Sequence, residues 1–226
     1  MEQLLIMIRA VLWDMDGVIS DTGEIHFQAW QHVFTPLGIE FTRDNFRHIF
    51  GMNNTTALSL IFDPGTEMGK IHQIDLEKEA KFRELAQGSL QLLPGVKTWL
   101  MYFKQAGIHQ AIASSAPQQN IDVILEELKI RTYFDTVVSG AQIPGKPNPD
   151  VFLAAAQAFG APPSSCVVVE DSVAGIEAAN RAGMKCIAIT TTSPAAILQG
   201  ASLVLHSLED LAPDQIESRL WPAKQD

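Results

Sequence analysis

Residues 11–22 read VLWDMDGVISDT. An apolar run, Val11-Leu12-Trp13, stops at two aspartates two apart, Asp14 and Asp16, and a glycine and a third acid, Asp21, follow. Five similar runs recur along the chain. Strands are expected at 7–13, 109–113, 136–138, 166–169, 185–189 and 202–205, each apolar almost throughout and so buried on both faces. Helical patterns fall between them at 95–106, 117–129, 148–160, 173–182 and 194–199. Alternation of this kind predicts a parallel sheet covered by helices on both sides, a doubly wound α/β fold. Pro117, Pro149 and Pro194 stand where a first helical turn tolerates proline, and Gly107, Gly160 and Gly183 stand where C-terminal caps belong.

One block breaks the rhythm. Between the first strand and LLPGVKTWL there is no strand pattern, and EIHFQAWQHVFTPLG, TRDNFRHIFG, NNTTALSLIF and DLEKEAKFRELAQGSL all read as helices. Residues 21–92 are therefore expected to form an inserted all-helical cap, with residues 1–20 and 93–226 forming a discontinuous core. A helical insertion at the tip of the first strand suits a lid over a site.

In an open parallel sheet, ligands bind beyond the carboxyl ends of the strands. The first strand ends in Asp14-Met15-Asp16 and the second in Ser114-Ser115. The third is followed by Gly145-Lys146-Pro147, and the fourth ends in Glu170-Asp171. Carboxylates gathered in this way raise one another's pKa unless a cation sits among them. An oxygen-only donor set points to Mg²⁺ rather than zinc. A hard cation, a lysine and a serine hydroxyl suit a phosphoryl group. One aspartate could attack phosphorus, and the other could donate a proton to the leaving oxygen and later take one from water.

These segments carry a resemblance. DMDGVISDT, IASSAP, GKPNPDVF and VVVEDSVAGIEAANRAGM, with the helical insertion, resemble the haloacid dehalogenase superfamily of phosphotransferases, and within it the beta-phosphoglucomutase-like group. The resemblance implies a Rossmann-like core with a helical cap. It implies Asp14 as nucleophile, Asp16 as general acid/base, and Ser114 and Lys146 on the phosphoryl oxygens. It implies Mg²⁺ held by the Asp14 side chain, the Asp16 backbone carbonyl, Glu170 and Asp171. Thr22 at the hinge is placed to bond Asp16. His26 and Trp30, at i and i+4, share a face of the first cap helix: His26 is expected to bridge cap and core, and Trp30 to stack on a sugar ring. Lys81 is expected to point into the site from a later cap helix.

Other readings of the same residues fail on spacing. As a calcium loop, the stretch from Asp14 would need Asp or Asn at Val18, Gly at Ile19 and Glu at Ile25. As a P-loop, GAQIPGK at 140–146 would need Ser or Thr at Pro147, and Pro144 removes an amide from the cradle. A signalling receiver domain is shorter and lacks the helical insertion.

The substrate turns on departures from the mutase pattern. That group holds a second phosphate with a cap arginine and a Ser-Lys-Asn run after the motif serine. Here the arginine position is Asn54, and Ala116, Pro117 and Gln118 follow Ser115. Losing a charged partner of a buried dianion costs ~2–5 kcal/mol. Asn54, Ser115 and the glutamines are left to bind neutral hydroxyls. The expectation is thus a Mg²⁺-dependent phosphatase of small phosphomonoesters, with a beta-phosphoglucomutase as the alternative.

The bulk numbers agree. A net charge of −10 with no clustered Lys/Arg run gives no nucleic-acid footprint. No stretch of ~18 apolar residues offers a membrane span. MEQLLIMIRAVLWD lacks the basic start of a signal peptide, so a monomeric cytoplasmic enzyme is expected. Cys166 and Cys186, each opening an apolar run, read as buried strand residues rather than a disulfide.

Overall fold

The computed structural model describes residues 7–222. Residues 1–6, part of the stretch read against a signal peptide, lie outside them. Six strands form one parallel sheet: β1 (Ala10–Trp13), β2 (His109–Ser114), β3 (Thr136–Ser139), β4 (Cys166–Glu170), β5 (Lys185–Ile189) and β6 (Leu203–Leu205), in the order β3-β2-β1-β4-β5-β6. Four helices, α1 (Gly23–Phe34), α2 (Arg43–Ile49), α3 (Asn54–Ile61) and α4 (Met68–Ala86), follow β1. The core continues with α5 (Val96–Gln105), α6 (Gln118–Glu127), α7 (Asp150–Ala158), α8 (Val173–Arg181) and α9 (Ile216–Leu220). The fold is α/β, doubly wound and Rossmann-like.

Alternation along each strand divides the core into two layers. Val11, Trp13, Ile112, Val167, Val169 and Ile187 face large residues of the α5 and α6 side, including Trp99, Phe103 and Ile124. Ala10, Leu12, Ala111, Ala113, Cys166, Val168, Cys186 and Ala188 face the α7 and α8 side, where Ala155, Ala156, Ala178 and Ala179 meet them. The second layer is built from small side chains, which lets helices pack close to the sheet. Both cysteines are buried and free. The helices after β1 enclose an aromatic core of their own around Phe27, Trp30, Phe34 and Phe41.

The ends of several elements differ from expectation. Residues 7–9 precede β1, although Arg9 still hydrogen-bonds Ser165 and His109 through its backbone. The Ile8 amide is diverted to the Glu217 carboxylate at 2.9 Å, which takes the chain out of the ladder. Pro117, Pro149 and Pro194 each stand one residue before a helix, and Pro194 starts only a single 3₁₀ turn, Ala195–Ile197, where a helix over 194–199 is expected. Gly107, Gly160 and Gly183 follow α5, α7 and α8 with φ of +69°, +57° and +74°, the left-handed cap conformation.

Trp13 anchors the first layer. It is fully buried, meets Trp99 and Phe103 edge to face at 6.3 Å each, and donates its indole N–H to the buried Gln110 at 3.2 Å. Trp13→Ala should lower the unfolding free energy by about 3–5 kcal/mol, read from the urea midpoint. A loss below about 1 kcal/mol would mean the layer does not depend on this residue.

Candidate active site

The sheet order reverses between β1 and β4, and the two strand tips lie side by side there. Trp13 pairs with Val169, and the Asp14 amide donates to the Val169 carbonyl at 3.0 Å. Asp14 and Glu170 are thus brought together by backbone register. Lys146, from the loop after β3, reaches between them: its ammonium lies 2.5 Å from Asp14 Oδ1 and 2.5 Å from Glu170 Oε1. Glu170 Oε2 accepts from the Asp171 and Ser172 amides at 2.8 Å each and from Ser172 Oγ at 2.9 Å. Two glycines make room for these acids. A Cβ on Gly175 would sit 1.8 Å from Glu170 Oε1. One on Gly17, whose φ is +80°, would sit 1.9 Å from Asp171 Oδ2.

Asp14, Glu170 and Asp171 each place a carboxylate oxygen within 4.8 Å of the others, and all three residues are buried. A single lysine faces three acids. Burial pushes the Asp14 carboxyl up to about 7 even against the pull of Lys146, and Glu170 and Asp16 add to the rise. Burial, reinforced by Glu170 and Asp14, also lifts Asp171 well above the ordinary range. Lys146 loses solvation too, but the two carboxylates it touches raise its pKa overall. Asp171 Oδ1 is buried without a hydrogen-bond partner, while its Oδ2 accepts from Thr192. Oxygen donors, excess negative charge and an unpaired buried oxygen are the features that a hard divalent cation satisfies.

Asp16 stands on the α1 side of Asp14. Its Oδ1 accepts from Thr22 Oγ1 at 2.6 Å and meets His26 Nε2 at 3.1 Å. His26 Nδ1 lies 3.0 Å from Lys78 Nζ, so a proton on Nε2 faces Asp16. The imidazole stacks on Phe82 at 4.1 Å. Burial alone would raise the Asp16 pKa, but His26, with Thr22 and Lys78 behind it, holds the carboxyl below its ordinary range.

Asp14, Asp16, His26, Asn54, Lys78 and Glu79 all border one small cavity, of about 40 Å³, between the helices after β1 and the strand tips. The loop between α2 and α3 closes it against the core. Asn53 donates to the Gly140 and Ile143 carbonyls at 2.9 and 3.0 Å, and Ser115 Oγ donates to the Gly51 carbonyl at 2.7 Å. Ser114 is buried, with its Oγ accepting from the Ala116 amide at 3.1 Å.

The expected cap contacts divide. Thr22 and His26 meet Asp16. Lys81 does not border the cavity: its ammonium pairs with Glu84 at 2.8 Å on the outer side of α4. Lys78, one helical turn earlier, takes the inward position. The spacing Ile71, Ile74, Lys78, Phe82, Ala86 carried that signal, because a lysine sits in the buried stripe of the helix. Trp30 borders the cavity, but packing covers most of its ring. It is 3% exposed, lies parallel to Phe34 at 5.2 Å, and has the Lys78 ammonium 4.9 Å from its ring. Asn54 borders the cavity, but its amide N–H donors are taken, Nδ2 lying 2.5 Å from both Asp75 and Glu79. Glu79 was not singled out in the sequence, where it reads as one more charge on an acidic and basic helix.

Comparison with known proteins agrees with this geometry. The profile of the family described as haloacid dehalogenase-like hydrolase matches residues 11–189. The Beta-phosphoglucomutase of Bacillus subtilis is 33% identical over 214 residues, covering 90% of this chain and 92% of that protein. The Phosphorylated carbohydrates phosphatase of Thermotoga maritima is 33% identical over 185 residues, covering 80% and 84%. Protein SUPPRESSOR OF QUENCHING 1, chloroplastic, of Arabidopsis thaliana is 36% identical over 221 residues, which are 92% of this chain but 20% of that much longer protein.

The raised carboxyl groups predict how a cation should bind. Protons and the cation compete for Asp14 and Asp171, so divalent affinity should climb as pH rises through about 7, where Asp14 ionises. Calorimetric titration with Mg²⁺ at pH 6 and pH 8 (roughly one unit to either side) reads this as at least about a tenfold gain. Equal affinities would mean that these acids do not hold the ion.

Proposed function

This chain belongs to the haloacid dehalogenase-like hydrolase family, and on that premise we propose that it is a Mg²⁺-dependent phosphatase of small phosphomonoesters, chiefly sugar phosphates, acting through an aspartyl phosphate. That it is an enzyme of the phosphatase and phosphomutase type follows from its relatives. The observation that carries the rest is the buried contact of Lys146 with Asp14, which borders the cavity.

Asp14 Oδ forms a bond to phosphorus as the ester P–O bond breaks, and Asp16 gives its proton to the leaving oxygen. Water then attacks the aspartyl phosphate, passes its proton to Asp16 and releases inorganic phosphate. Lys146 and the Ser114 hydroxyl hold the phosphoryl oxygens. The Asp14 side chain, the Asp16 backbone carbonyl, Glu170 and Asp171 would hold Mg²⁺, whose charge supports both the ionised nucleophile and the phosphoryl group. Asp16 must carry a proton for the first half of the cycle, although its neighbours favour the carboxylate. The line Lys78–His26–Asp16 supplies a route for that proton.

Phosphatase is favoured over mutase by the far end of the cavity, where, among the described residues bordering it, Lys78 is the sole lysine or arginine and is paired with Glu79. The mutase reading keeps one argument, since the relay onto Asp16 from the cap would serve either reaction. The acidic composition supports a free small ester rather than nucleic acid as substrate. The free buried thiols suit a reducing compartment such as the cytoplasm.

Phosphate release from a panel of sugar monophosphates tests the reading. Asp14→Asn should abolish turnover while the circular dichroism spectrum and melting temperature hold, and residual wild-type-like turnover would remove the covalent route. Asp16→Ala should slow alkyl esters by roughly 10²-fold or more and para-nitrophenyl phosphate far less, because that leaving group needs no proton. Equal slowing for both would contradict the acid role.

A further inference from the structure

We propose, resting on the phosphatase reading above, that Glu79 sets the charge specificity of the site: its carboxylate makes the far end of the cavity refuse a second phosphate and accept an uncharged, hydroxyl-rich end of a phosphomonoester. Glu79 lies on α4, is 5% exposed, and borders both the catalytic cavity and an outer cleft between α4 and α6. It is the partition between them.

Both of its oxygens are engaged. Oε1 accepts from Lys78 Nζ at 2.7 Å and from Asn54 Nδ2 at 2.5 Å, and Oε2 accepts from Asn120 Nδ2. Asn120, on α6, accepts in turn from Arg83 at 2.8 Å. Burial works against the charged form of Glu79, but Lys78 and His26 outweigh it and keep the carboxyl ionised. Among the described residues bordering the catalytic cavity, Lys78 is the sole lysine or arginine, and Glu79 neutralises it. Asn54 adds no cation, and it draws a second carboxylate, Asp75, to the same point.

A second phosphate placed here would meet fixed negative charge in a poorly solvated space, and like charges so placed repel strongly. The outer cleft offers Gln118, Gln119, Gln142, Thr55 and Ser139; its arginine, Arg83, donates to Asn120, and His72 and the acids Asp75 and Glu79 also line it. These amides and hydroxyls both donate and accept, as sugar or polyol hydroxyls require.

Binding to the Mg²⁺-loaded Asp14→Asn protein, which cannot turn substrate over, reads the proposal directly. Calorimetry would compare matched pairs: fructose 6-phosphate with fructose 1,6-bisphosphate, and glucose 1-phosphate with glucose 1,6-bisphosphate, at fixed ionic strength. The monophosphate should bind at least about tenfold more tightly in each pair. Adding Glu79→Gln, which keeps the shape but frees the Lys78 charge, should shift the ratio toward the bisphosphate by at least about tenfold. Equal or tighter bisphosphate binding in the Glu79 protein overturns the proposal, as does a ratio unmoved in a folded Glu79→Gln protein. If Glu79→Gln does not fold, the ratio in the Glu79 background still decides. Binding of neither member of either pair removes the assigned ligand class and with it the proposal. Hydrolysis of para-nitrophenyl phosphate by the unmutated enzyme decides the phosphatase reading separately.

Discussion

A lysine buried among carboxylates at the carboxyl edge of the sheet is the constraint on which the rest of this structure depends. Lys146 and Asp14 are each almost wholly removed from water, and so are Glu170 and Asp171. Burying unpaired charge is prohibitive, so every one of these groups has to be placed by something rigid. The parallel register of β1 against β4 supplies that placement for Asp14 and Glu170, at the point where strand order reverses. The start of α8 fixes Glu170 with two amides and a hydroxyl, and the missing side chains of Gly17 and Gly175 let the acids approach the backbone. What remains is an excess of negative charge around an oxygen with no partner, which a divalent cation would offset.

The helices after β1 solve a different problem. They have an aromatic core of their own, yet they send one charged line inward, from Lys78 through His26 to Asp16. They also send one latch across to the core, from Glu79 to Asn120. On the proposed function, the first line sets the protonation of the residue beside the nucleophile, and the second fixes what kind of group can lie at the far end. That reading puts the reaction chemistry at the sheet and selection in the helices after β1 and where they meet α6.

Much of this was legible in the sequence, for physical reasons. Strands buried on both faces write themselves as unbroken apolar runs, and the side chains just beyond such runs in a parallel sheet share one edge. Asp14, Asp16, Ser114, Lys146, Glu170 and Asp171 could therefore be gathered before any coordinates. The insertion was legible as helices but not as contacts. Along a 19-residue helix such as α4, Lys78 and Lys81 stand three residues, and so only about 60° around the axis, apart, and the sequence does not say which of the two points inward. Trp30 was read as a platform because its exposure depends on Phe34 and Lys78, which only packing brings onto it. Glu79 was invisible because a buried glutamate and a solvated one look alike until Asn54 and Asn120, distant in sequence, are seen to hold it.

Hydrolysis at Asp14 with no second phosphate site can be followed by phosphorus NMR. The purified protein with Mg²⁺ would be given beta-glucose 1-phosphate and a trace of beta-glucose 1,6-bisphosphate. The ester signal should be replaced by inorganic phosphate. Appearance of glucose 6-phosphate without inorganic phosphate would contradict it, and would mean that the far end of the cavity holds a bisphosphate despite Asn54 and Glu79.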